Sequence, residues 1–254
     1  MDTGICFLSV IPVRESANDR SQMVTQLLFG ETYKIIQQQE KWLKIMVTHD
    51  NYEGWIDRKQ HQALNEKEAV QNYAMSYDLV HPLQNQDSHI PLLIGSKIHN
   101  YDGINAKLNK HKWTFNGKAI NAKDLIFNDK RITKLVMKYL HAPYLWGGRS
   151  PFGIDCSGLT QNIFQFFNIK LPRDAYQQAA EGYAIGFVNE AKIGDLAFFG
   201  DEEKITHVGI ILENQKIIHA SGKVRIDKID HYGIFNETEK KYSHKLRIIK
   251  RIIS

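Results

Sequence analysis

Thiols are scarce: Cys6 and Cys156 are the two cysteines of the 254-residue chain, in segments far apart. They form neither a disulfide framework nor a metal-ligand spacing, so both are expected to be free, and no metal or cofactor is expected. Long apolar runs are lacking too, since nothing approaches the roughly 18 consecutive apolar residues that a membrane-spanning helix needs. Residues Met1 to Val13 have no basic leading region, no long apolar stretch and no small-residue cleavage site, and Pro12 and Arg14 interrupt the one apolar run. A soluble, cytoplasmic monomer with no membrane partner is the expectation. A surplus of one charge is also missing: 33 Lys and Arg are interleaved with 28 Asp and Glu, for a formal charge of +5. No basic stripe or tail marks a nucleic-acid partner, and solubility alone explains the balance.

What is present is material for more than one packed core, with 43% hydrophobic and 24% charged residues. From Cys6 to about Lys59, short strand-like runs (Cys6–Ile11, Tyr33–Ile36, Trp42–Val47, Gly54–Ile56) alternate with polar turns and read as a small β-barrel ending near residue 65. Leu64 to Tyr77, with Ala69, Val70, Tyr73 and Tyr77 at helical spacing, reads as a connecting helix. Over residues 66–127 that helix is followed by further strand-like runs, Ile90–Gly95, Ser96–His99, Ala106–Leu108 and Trp113–Gly117, which suggest a second barrel. Residues 128–254 read as an α+β unit. A helix capped by Asn128 or Asp129 carries Ile132, Leu135, Val136 and Leu140 and stops at Pro143; a second starts at Cys156 with Leu159, Ile163, Phe166 and Phe167 on one face. The runs Leu196–Phe199, His207–Leu212 and Ile217–Ala220 then supply an antiparallel sheet.

The chemistry concentrates around Cys156. A glycine-rich loop with Gly147, Gly148 and Gly153 delivers it to the first turn of a helix. Unpaired backbone N–H groups and the helix dipole favour a thiolate there, with pKa values of roughly 3.5 to 7.5 against about 8.5 for a free cysteine. A thiolate nucleophile needs a base, and the base needs a group that orients it. His207 opens one apolar strand and His219 lies twelve residues later in the next, so a hairpin turning at Glu213–Lys216 would set the two side by side.

These residues resemble a known family. Asp155-Cys-Ser-Gly, Leu171-Pro-Arg-Asp, Gly194-Asp-Leu-Ala-Phe-Phe, Ile205-Thr-His-Val-Gly-Ile and His219-Ala-Ser-Gly are similar, in order and interval, to motifs of the NlpC/P60 peptidases. The resemblance implies a papain-like catalytic domain at 128–254, preceded by two bacterial SH3-like barrels, with Cys156 as nucleophile, His207 as base and His219 orienting it. It further implies hydrolysis of the γ-D-glutamyl-L-diamino acid bond of a small murein peptide, the diamino acid being diaminopimelate or lysine. Tyr144, Asp155 and Ser157 would line the pocket for the substrate's L-Ala-γ-D-Glu end, and Glu53 of the first barrel would meet its ammonium. Asp155 as a mere cap would raise the thiol pKa, which suggests that a substrate cation neutralises it. Ala175 departs from relatives that carry a serine there, and Trp55 and Trp146 are either site walls or core. With no signal peptide, the substrate is expected to be a free peptide in cell-wall recycling. The competing readings are a binding module for wall peptides and an amidase or acyltransferase on the same fold.

Overall fold

The computed structural model describes residues 2–64, 72–108, 111–121, 124 and 126–253. The chain divides into two compact units, the first of residues 1–126 with 146–151 and 165–170, the second of 127–145, 152–164 and 171–254.

The first unit opens with strands β1 (Thr3–Ile5), β2 (Val10–Arg14), β3 (Met23–Leu28), β4 (Thr32–Gln38), β5 (Trp42–Val47), β6 (Glu53–Asp57) and β7 (Gln62–Ala63). They form one antiparallel sheet in the order β3-β2-β6-β5-β4-β1-β7. Period-two alternation turns Ile11 and Val13 of β2 and Leu43, Ile45 and Val47 of β5 into a core shared with Leu27, Tyr33 and Ile56. Cys6 belongs to that core but follows β1 instead of opening a strand; its sulfur donates to the carbonyls of Leu8 at 3.2 Å and Leu27 at 3.6 Å.

Next come β8 (Tyr73–Ser76), β9 (Val80–Gln84), β10 (His89–Leu93), β11 (Lys97–His99), β12 (Asn105–Leu108), β13 (His111–Thr114) and β14 (Ala119–Asn121). They make a four-stranded sheet, β10-β9-β13-β12, and a three-stranded one, β11-β8-β14. The helix expected over Leu64–Tyr77 is not formed at its second half: Tyr73 and its neighbours are strand β8, paired on both edges, while Ala69 and Val70 lie outside the described residues. Cross-strand burial of Ala74 and Met75 outweighs helical spacing here. Ile5 and Phe29 join the core of these later strands, so a boundary near residue 65 does not separate two compact units.

The short strand β15 (Arg149–Ser150) belongs to the first unit and holds a buried ion pair there. Arg149 Nη1 and Nη2 reach Glu31 Oε2 and Oε1 at 2.8 and 2.9 Å, and its backbone N–H donates to Gln26 Oε1. Burial pushes the Glu31 carboxyl up, but the Arg149 guanidinium overrides it and holds the group at about 2. Gly147 precedes this strand at φ 74, where a Cβ would stand 2.5 Å from the Met23 carbonyl oxygen. Only glycine fits both the conformation and the gap.

The second unit begins with α1 (Asp129–Val136), capped by Asn128, whose side chain accepts from the Arg131 N–H at 2.9 Å. A 3-10 turn at Met137–Tyr139 and a left-handed His141 (φ 70) end it before Leu140, ahead of Pro143. After β16 (Gly153–Ile154) comes α2 (Cys156–Phe166), buried on every side and not along one stripe. Its polar residues are therefore bonded: Thr160 Oγ1 to Gln178 Oε1 at 2.6 Å, and Gln161 Nε2 to the Leu171 carbonyl at 3.0 Å. The short α3 (Ala175–Gln178) follows, then β17 (Tyr183–Ile185), β18 (Leu196–Gly200), β19 (Ile205–Leu212), β20 (Lys216–Ser221), β21 (Lys223–Ile229), β22 (Gly233–Asn236) and β23 (Lys241–Arg251). These form one antiparallel sheet in the order β17-β23-β18-β19-β20-β21-β22.

Candidate active site

Cys156 is the first residue of α2 and 7% exposed. Asp155 caps the helix, accepting from the Gly158 N–H at 2.7 Å. The backbone amides of Ser157 and of Val208, the latter next in the chain to His207, act on the thiol and favour its ionised form. The helix of the nucleophile and the strand of the expected base thus meet at the thiol.

The expected lowering of the thiol pKa does not occur. Burial, reinforced by the Asp155 carboxylate, pushes Cys156 up to about 12, against the pull of the Val208 and Ser157 amides and the Arg173 guanidinium. A helix N-terminus stabilises a thiolate by a fixed dipole, but removal from water penalises the charged form more. His207 is driven the same way, to neutrality: burial and the neighbouring His219 and His244 hold it well below 6.5. Burial thus favours the neutral form of both the thiol and the imidazole.

His207 and His219 lie on one face of adjacent strands. The β19–β20 hairpin turns at Asn214 and Gln215, both in the left-handed region, and its register sets His219 directly opposite Gly209. A Cβ at Gly209 would stand 2.7 Å from Ile217 and 3.0 Å from the His219 Cβ, so the glycine makes room for the imidazole. His207 Nε2 and His219 Nδ1 are 2.8 Å apart, and His219 Nε2 lies 2.9 Å from Asp227 Oδ2 on β21. Asp227, 8% exposed, is bonded in turn by Arg225 Nε at 2.7 Å and Nη2 at 2.8 Å. Burial pushes its carboxyl up, but the bonds from His219 and Arg225 bring it below the ordinary range. His244 of β23 stacks on His207 with ring centroids 4.2 Å apart. Among the described residues, His207, His219 and His244 form a trio whose ligand nitrogens lie within 4.8 Å of one another, near enough to hold one metal ion, although the closest two already face each other across a hydrogen bond.

Asp155 has a resident cation, which corrects the expectation that a substrate ammonium neutralises it. Arg173 forms a fork with it, Nη1 to Oδ1 at 3.0 Å and Nη2 to Oδ2 at 2.6 Å, both side chains buried. Arg173 Nη1 also donates to Ser157 Oγ at 2.9 Å, which knits Ser157 into the cluster. Half-buried Tyr144 stands among them: burial and then the Cys156 and Asp155 charges push its phenol up to about 12, with Arg173 pulling the other way. Tyr144, Asp155, Cys156, Ser157, His207 and His219 are therefore brought together in the second unit. Glu53 lies on β6 of the first unit, half-exposed and paired with Lys44 Nζ at 2.7 Å. Trp146 is 58% exposed, which excludes a core role.

Arg173 and Asp227 escape a sequence reading centred on the nucleophile and its histidines. Arg173 had a signal in Leu171-Pro-Arg-Asp, a charged residue in an apolar turn. Asp227 had one in Arg225-Ile-Asp, two charges on one face of a strand.

Residues 141–243 match the NlpC/P60 family, and residues 13–60 match the bacterial dipeptidyl-peptidase Sh3 domain. A gamma-D-glutamyl-L-lysine dipeptidyl-peptidase of Bacillus subtilis is 28% identical over 264 residues, covering 91% of this chain and 81% of that protein. Its namesake from Bacillus cereus is 26% identical over 237 residues, covering 79% and 68%. A crystal structure of an NlpC/P60 family protein from Bacillus cereus, 18% identical, aligns over 99% of this chain and 100% of the other with a TM-score of 0.84, which shows a shared fold. The thiol-bearing helix and its histidine-bearing sheet thus lie in an NlpC/P60 domain, and the chain joins that domain to an N-terminal SH3 domain of the bacterial dipeptidyl-peptidase type.

Proposed function

We propose that the protein is a cysteine peptidase that hydrolyses the γ-D-glutamyl-L-diamino acid bond of small murein peptides. The observation that carries this reading is that the thiol at the N-terminus of α2 feels the Val208 amide of the strand that carries His207, a histidine itself hydrogen-bonded to a second histidine. In the papain-like mechanism of this proposal, His207 takes the thiol proton as sulfur attacks the γ-carbonyl carbon. The C–N bond then breaks, the proton passes to the leaving amine, and water cleaves the thioester. The oxyanion would fall to backbone N–H groups at the α2 terminus.

The choice of acyl group is supported by the two Bacillus relatives, which are named as γ-D-glutamyl-L-lysine dipeptidyl-peptidases. Tyr144 and the Asp155–Arg173–Ser157 cluster form the polar wall against which the γ-D-glutamyl portion would lie. Recycling of free wall peptides is the biological setting we propose. Incubation with L-Ala-γ-D-Glu-meso-diaminopimelate and with its L-lysine analogue, followed by mass analysis, should yield L-Ala-D-Glu and the free diamino acid, and the Cys156→Ala variant should yield neither. A wild-type enzyme that binds both peptides and cleaves neither would establish a binding module instead.

A further inference from the structure

We propose that Asp227 fixes the tautomers of both active-site histidines, leaving Nδ1 of His207 as the nitrogen that takes the thiol proton. The catalytic consequence rests on the peptidase reading above; the proton assignment follows from the hydrogen-bond geometry of singly protonated rings. Asp227 lies two residues beyond Arg225, the direct cross-strand partner of His219, and so shares the face of the sheet that carries both histidines. The Arg225 guanidinium clamps both carboxylate oxygens and is itself held by Asn236 Oδ1 at 3.2 Å. A carboxylate so paired stays ionised, and an ionised carboxylate can only accept hydrogen bonds.

Each proton position then follows from the one before it. The His219 nitrogen 2.9 Å from Asp227 is Nε2, so in the singly protonated ring Nε2 carries the proton and Nδ1 is a bare acceptor. The nitrogen 2.8 Å from His219 Nδ1 is His207 Nε2, which must therefore donate. His207 is left with its lone pair on Nδ1. Stacking by His244, whose own Nδ1 is bonded to Ser243 Oγ at 2.8 Å, limits rotation of the His207 ring out of this line. Were Asp227 replaced by a group that donates, the chain would run backwards: His219 would be protonated on Nδ1, His207 Nε2 would accept, and the thiol would meet an N–H. Asp227 accepts no proton in the reaction; it acts through His219 as a positioning residue.

Nitrogen-resolved NMR of the wild-type histidine side chains tests the assignment without a variant. Protons on Nε2 of both His207 and His219 are expected, and a proton on Nδ1 of either neutral ring would overturn it. In kinetics on the γ-D-glutamyl peptide, Asp227→Asn should lower kcat on the order of a thousandfold with KM changed by no more than about threefold, since a wrong tautomer in an intact triad can cost about 10⁴. Asp227→Glu, which regains an acceptor, should recover at least about tenfold of that loss. A folded Asp227→Asn enzyme within about threefold of wild-type kcat would refute the role. If the wild type cleaves no such peptide, the peptidase reading falls, while the NMR spectra still decide the tautomers.

Discussion

The two cysteines share burial and a raised pKa, yet their surroundings set them apart. Cys6 sits in the core of the first sheet, where its S–H donates to the Leu8 and Leu27 carbonyls and burial drives its pKa far above the ordinary value. Cys156 is nearly as buried, and backbone amides favour ionisation of both thiols, but at Cys156 one of those amides, Val208, belongs to the strand that also carries His207. Burial therefore does not tell the two apart. The strand that carries His207 past the sulfur does.

The largest expected effect breaks the comparison on one side: Cys156→Ala should remove all peptide turnover while retaining the fold, as judged by thermal unfolding, because the deleted atom reacts. Next, His207→Ala should be nearly as damaging, members of such a unit being grossly non-additive, whereas His219→Gln should be milder because an amide can still bond His207. Measured kcat values in which His219 outweighs His207 would exchange their roles.

Asp155→Asn sharpens the contrast by changing the charge at one thiol only. Its loss leaves the Arg173 guanidinium buried without its carboxylate and should destabilise the protein by roughly 3–5 kcal/mol. It also removes a contribution that raises the Cys156 pKa, so alkylation of Cys156 by iodoacetamide should quicken in the folded variant, with Cys6 unaffected.

pH separates the two in another way. The folded pKa of His207 lies below 6.5, so the base stays neutral as pH falls through 6.5, and the acid limb of kcat/KM should lie below that value. Stability responds with the opposite consequence. Buried His99, lowered to about 4 by burial, remains neutral when the unfolded chain takes up its proton, so this site should lose about 1.4 kcal/mol per pH unit between 6.5 and 4, measurable by denaturant unfolding. The smallest effect is expected from Cys6→Ala: a rate indistinguishable from wild type and a stability loss of about 1 kcal/mol for the vacated core space.

Much of the site was legible before the fold. Cys156 at a helix start, Asn128 as a cap, the hairpin pairing His207 with His219 and the strands β4, β5, β19 and β20 all follow from local patterns, because periodicity, capping and turn chemistry act over a few residues. Leu64–Tyr77 misled for the same reason: helical spacing is local, and the two partners that make Tyr73–Ser76 a central strand lie far along the chain.

By itself the sequence determined which atoms could do the chemistry, a thiol at a helix terminus and two imidazoles one hairpin apart, and it carried the motifs that mark the NlpC/P60 domain. Only the tertiary structure decided their protonation and their partners. Desolvation and charge pairing depend on what surrounds a group in space, so Arg173 rather than a substrate ammonium sits against Asp155, the thiol rests neutral near 12 rather than ionised, and Asp227 closes a line of three hydrogen-bonded groups that are spread along 21 residues of chain.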